Sequence, residues 1–189
     1  VLRENVMTFL ARISRCHARF IGDRRGVSAV EFAVLLPVMV TLYLGSVEAS
    51  QGIAADRKVE LTAHALADLT SQYTNITNTD MSNILNAGSA IIAPYAAGNL
   101  HEVVSEIAID AQGMATVVWS DTLNGTALTV GQNVAVPASL AVPNSYLIYA
   151  QVQYGYDPAY GYVMTGTLNL NDQSFMRPRE SASISRSAS

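Results

Sequence analysis

The stretch Arg24-Arg25-Gly26-Val27-Ser28-Ala29-Val30-Glu31-Phe32-Ala33-Val34-Leu35-Leu36-Pro37 decides how this chain is organised. A basic run stops at Gly26, and an apolar segment begins whose only charge through residue 47 is Glu31. Residues 27–47 number 21, about 31 Å of α-helix, which matches a bilayer hydrocarbon core of about 30 Å. One membrane span is therefore expected at 27–47. An ionisable group inside such a span costs roughly 2.5–3.5 kcal/mol on insertion scales, so Glu31 reads as functional.

Upstream, residues 1–26 hold six arginines against Glu4 and Asp23, a net +4, whereas the rest of the chain carries –8, giving –4 overall. The asymmetry places the two parts in different surroundings, with the basic leader on the cytoplasmic side of the span. Val6, Leu10 and Ile13 give that leader a weak apolar face on a basic helix. A secretory signal peptide is the competing reading. The long basic region, the length of the apolar stretch and Glu48 interrupting the small residues after Leu44 all disfavour it. The acidic balance excludes a general nucleic-acid binder. The one cysteine, Cys16, lies in the leader, so no intrachain disulfide and no Cys-ligated metal site is expected.

Downstream, Ala55, Val59, Ala63, Leu66 and Thr70 recur at helical spacing with charges around them, so the span is expected to run on into water as one helix over 27–72. A polar break at 73–79 ends with Thr79 as the cap of a second helix carrying Ile84, Leu85, Ile91 and Ile92. After residue 100 the period turns toward two. Val103, Ile107 and Ile109, then Ala115, Val117 and Trp119 across Ala111-Gln112-Gly113, read as a hairpin. Ile148, Ala150, Val152 and Tyr154 make a third strand, Met164, Leu168 and Leu170 a fourth, and Ala182 with Ile184 a weak last one. Half the residues are apolar and 14% charged, too hydrophobic a chain for disorder. The pattern predicts an α+β fold, a long N-terminal helix packed on an antiparallel meander. Its parts are a leader at 1–26, the span at 27–47, a helical stalk and second helix at 48–99, and a β-rich domain at 100–189.

The Gly26 junction with Glu31 resembles a type IV prepilin. More narrowly, Gly-Val-Ser-Ala-Val-Glu-Phe-Ala-Val-Leu-Leu-Pro followed by Glu48 resembles the TadE/TadG-like minor pilins (pseudopilins) of the tight-adherence, or Tad (Flp), pilus. The likeness is sharp over 24–50. It continues loosely through Ala67-Asp68-Leu69, Ile92-Ala93-Pro94-Tyr95, Val118-Trp119-Ser120, Tyr154-Gly155-Tyr156 and Arg177-Pro178-Arg179. It implies cleavage between Gly26 and Val27 by a prepilin peptidase, and other Tad pilins, the inner-membrane assembly machinery and the lipid bilayer as partners. It also implies a single-pass inner-membrane location with a cytoplasmic N terminus and a periplasmic C-terminal domain, the extracellular pilus being the destination after assembly.

On this reading Gly26 lets the backbone lie extended in a protease cleft. The new amine on Val27 pairs with Glu31, on its own helix or a neighbouring subunit, and fixes register. Phe32 belongs to the same motif, and Pro37 lets the helix bend on leaving lipid. Glu48 is expected only to mark the periplasmic end of the span. The alternative from another class is a signal-anchored periplasmic binding or adhesion module that keeps its leader.

Catalytic signatures are missing from the sequence. His17, His64 and His101 are scattered, and no phosphate loop or Gly-x-Ser-x-Gly elbow occurs. Glu102, Glu106, Asp110 and Asp121 border strands, where acids are normally solvated. No enzyme, metal or cofactor is expected. Six tyrosines crowd residues 146–162. Those in strands are assigned to packing, and Tyr156, Tyr160 and Tyr162 to a displayed partner surface.

Overall fold

The computed structural model describes residues 25–158, 161–162 and 164–187. The leader-helix expectation and Tyr160 lie outside them. The chain divides into two compact units, Val1–Ser46 and Val47–Ser189.

Helix α1, Arg25–Ser71, runs 47 residues with Pro37 inside it. In the first unit its residues 26–43 are exposed on every face, although nearly all are apolar. Two of its hydroxyls turn back onto the helix: Thr41 Oγ1 donates to the Pro37 carbonyl at 2.8 Å and Ser46 Oγ to Tyr43 O at 2.7 Å. That is how polar side chains are satisfied where water is absent.

In the second unit the expected stripe is the buried face of α1. Ala55, Val59, Ala63, Leu66 and Thr70 have no exposed surface. They meet the inner face of a sheet formed by β2 (Leu100–Ile109), β3 (Ala115–Leu123), β4 (Ser145–Tyr156) and β5 (Leu168–Met176). Between helix and sheet come β1 (Asn75–Ile76) and α2 (Asn78–Ile91). The cap of α2 is Thr77, not Thr79: its hydroxyl accepts from Asp80 N at 3.2 Å, and Asp80 Oδ2 accepts from Thr77 N at 3.0 Å. This reciprocal box satisfies two otherwise orphaned N–H groups, and its hydrogen bonds hold the Asp80 carboxyl below the usual range.

All pairings in the main sheet are antiparallel, but the order is β3-β2-β4-β5. The expected meander is thus corrected: β4 pairs with β2, and β3 forms an edge. The long connection from 124 to 144 makes this possible by crossing the outer face, where Leu128, Val134, Val136 and Leu140 cover Ile107, Ile109, Ala115, Leu147 and Tyr149. The hairpin turn is as expected, with Asp110 Oδ1 accepting from the N–H groups of Gln112 and Met114 at 2.9 and 2.8 Å and Gly113 at φ 82°.

Two further strand expectations change. A bulge between Glu106 and Ile107 leaves Val118 unpaired, with Ile107 opposite Val117 and Glu106 opposite Trp119. The extra residue reverses the face on which later side chains fall, so Ala115 joins the outer cluster and Trp119 the inner core. The last strand, β6 (Ser185–Arg186), pairs in parallel with β1 outside the main sheet. Arg186 anchors it through Asp121, Nε to Oδ2 at 2.8 Å and Nη2 to Oδ1 at 3.0 Å.

Candidate functional site

Gly26 sits in the first turn of α1, and a Cβ built on it would meet nothing within 4 Å among the described residues. Packing therefore gives no reason for glycine there. Glycine costs about 1 kcal/mol relative to alanine in a helix interior, so helix propensity gives no reason for it either. Val27, Glu31 and Phe32 lie on the following turns with exposed side chains, Glu31 being the only charge between Gly26 and Val47. Pro37 stays within the helix.

Glu48 does more than end an apolar stretch. It is completely buried, and its two carboxylate oxygens accept from the backbone N–H groups of Tyr162, at 2.9 Å, and Met164, at 2.8 Å. A helix carboxylate thereby ties down the segment that follows β4. Met164 is held there rather than in β5, which starts at Leu168.

The tyrosine run separates by burial. Tyr154 and Tyr156 are inside the core, where Tyr95 meets them at ring-centroid distances of 6.2 and 5.9 Å, the latter edge-on. Tyr95 in turn donates to the Gln51 carbonyl at 3.3 Å. Tyr156 is therefore removed from the displayed surface: the strand continues through it, and its inward position places the ring against α1. Tyr162 is 74% exposed. Tyr156→Ala is expected to lower unfolding stability by roughly 3 kcal/mol, the scale of deleting a buried aromatic. Tyr162→Ala should change it by about 0.5 kcal/mol or less. Urea unfolding followed by Trp119 fluorescence distinguishes the two, and equal effects would contradict this assignment.

Sequence reasoning missed two carboxylates on β2. Glu102 and Glu106 are buried, contrary to the expectation that acids bordering these strands are solvated. Glu106 Oε2 accepts from Trp119 Nε1 at 3.1 Å and its Oε1 from Ile184 N at 2.6 Å. The same indole N–H reaches Ile184 O at 2.9 Å, so the carboxylate and Trp119 together fasten the chain before β6. Burial pushes the Glu106 carboxyl up while these two hydrogen bonds act the other way. Among the described residues Glu102 has no hydrogen-bond partner on either oxygen, and burial pushes its pKa up to about 8. It fills the notch left by Gly88 of α2: a Cβ there would lie 2.8 Å from Cδ and 3.1 Å from Oε2. The available signal was the glycine in a helix whose neighbours are buried. Among the described residues, no group of three or more His, Cys, Asp or Glu side chains is placed to hold a metal ion.

An N-terminal helix long and apolar enough to cross a membrane, running into a domain that buries its C-terminal stripe against an antiparallel sheet, defines a membrane-helix α+β class of protein. A family model described as TadE-like protein matches residues 26–68, starting at Gly26 and ending three residues before α1 does. The chain thus carries a TadE-like segment along α1, which points to the Tad pilus system. No curated protein and no solved structure matches.

Proposed function

We propose that this chain is a single-span minor pilin or pseudopilin of Tad pilus assembly, made as a precursor and cut between Gly26 and Val27 by a prepilin peptidase. The observation that carries the reading is Glu31, the only charge between Gly26 and Val47 on a helix whose TadE-like match begins at Gly26. The leader stays cytoplasmic, residues 27–47 span the inner membrane, and the rest lies in the periplasm until assembly carries it into the pilus. Sibling Tad pilins and the inner-membrane machinery are the partners, with the new Val27 amine and Glu31 setting register between helices. The chain is an enzyme's substrate and needs no cofactor of its own. Tyr162, its side chain exposed while its backbone N–H is tied to Glu48, is the remaining candidate for contact with a sibling subunit.

Sequencing the N terminus of the mature protein tests this. The expected first residue is Val27, and Gly26→Val should leave a precursor longer by 26 residues. Because no described residue lies within 4 Å of a Cβ at Gly26, that variant should still insert and fold, so failure to process would reflect the peptidase. A mature chain starting near residue 50 would mean a signal peptide. A retained leader in the presence of the peptidase would mean a signal-anchored module.

A further inference from the structure

The outer face of the main sheet is split in two. Its apolar half is covered by the chain's own 124–144 connection. Its other half is uncovered among the described residues and consists mostly of amides. Register sets His101, Gln153 and Asn171 in one row across β2, β4 and β5, with Val103, Gln151 and Gln173 in the next and Asn169 beside Gly155. Gln151 Nε2 reaches Asn171 Oδ1 at 3.4 Å, and Asn124 O bonds His101 Nδ1, leaving the ring's Nε2 as its other hydrogen-bonding atom. Two depressions of about 530 and 620 Å³ meet at His101 and Gln153, each within the ordinary range of small-molecule sites, about 300–1,000 Å³.

We propose that this face binds a neutral polyhydroxylated chain, an oligosaccharide. Each amide offers a donor and an acceptor, as each sugar hydroxyl does. Neighbouring strands lie about 4.8 Å apart and same-face residues about 6.8 Å apart along a strand, so the amides form a lattice that successive sugar rings can span. Charge argues for a neutral ligand. Among the described residues no Lys or Arg lines either depression, and the one carboxylate there, Asp157, accepts from Thr167 Oγ1 at 2.6 Å. An acidic polymer or a nucleic acid finds no cation among these lining residues. A protein partner would be expected to find the exposed aromatics, Met or Arg that mark interface centres, whereas the open rows present amides, an imidazole and the nearly covered Val103. The inference is independent of processing at Gly26.

The test uses the full chain in phosphatidylcholine nanodiscs, free of sugar detergents, with maltotetraose, cellotetraose and chitotetraose as probes and saturation-transfer NMR as the readout. At least one probe should bind at millimolar concentration with an affinity unchanged between low and high salt. Gln153→Ala and Asn171→Ala should each weaken it about tenfold. Gln153→Arg should block the row without disturbing Trp119 fluorescence. The proposal fails if none of the three binds, if binding is lost at high salt, or if it survives in Gln153→Arg.

Discussion

Stability should fall as pH rises from about 4.5 to 8, and Glu102→Gln should remove a large part of that slope. The Glu102 carboxyl is pushed up to about 8 by burial, from an ordinary value of 4.5. Below 4.5 it is protonated folded and unfolded, and no penalty arises. Between 4.5 and 8 the unfolded chain releases a proton that the folded chain keeps, so stability declines with pH, and above 8 the loss is complete. At about 1.4 kcal/mol per pH unit the total is on the order of 5 kcal/mol. Glu106, shifted the same way by burial, leaves a smaller slope in the variant. Gly88 gives a second handle on the same contact. Gly88→Ala should destabilise the wild type by roughly 1–3 kcal/mol, because the new Cβ drives into an enclosed carboxyl. In a Glu102→Ala background the same change should stabilise by about 1 kcal/mol through helix propensity. Melting temperatures across the pH range, for the four members of that cycle and for Glu102→Gln, check both statements. A slope unchanged in Glu102→Gln, or no change of sign for Gly88→Ala, would refute them.

The stripe from Ala55 to Thr70 was legible because every member obeys a helical period, and burial against one sheet face rewards that period directly. The β2–β3 hairpin was legible because its turn is local, five residues with Asp110 and Gly113 at fixed offsets. Strand order was not, since pairing β4 with β2 depends on where a 21-residue connection lies, and its Gly, Asn and Pro residues do not record which face they cover. The buried acids were hidden for a different reason. Glu48, Glu102 and Glu106 look like solvent-facing positions in any polarity pattern, and only tertiary contacts, with Tyr162 and Met164, Gly88 and Trp119 respectively, make them interior. The extra residue at Val118 shows how small the missing signal can be, since one bulge sends Trp119 into the core.

The membrane end carries the other large effect. Glu31→Ala should leave membrane insertion unimpaired or improved while abolishing pilus assembly. The first half follows from cost: the substitution removes the only charge of residues 27–47, worth roughly 2.5–3.5 kcal/mol of insertion free energy. The side chain is exposed on α1, so no packing within this unit is lost. The second half follows from what an acid can do there. With the proposed cut between Gly26 and Val27, the amine of Val27 would be a cation about one turn away along the helix, and in a low-dielectric setting each charge would offset the other's desolvation. Paired within one helix they neutralise the N terminus. Paired between helices they also fix axial register, which an apolar surface of Val, Leu and Phe does not specify. Glu31→Gln isolates the role of charge, because it keeps the size and hydrogen-bonding capacity without it. Membrane fractionation and counting of surface pili in cells expressing each variant give the answer. Loss of pili in both, with normal membrane levels, is the expected outcome, and normal piliation in Glu31→Ala would remove the register role altogether.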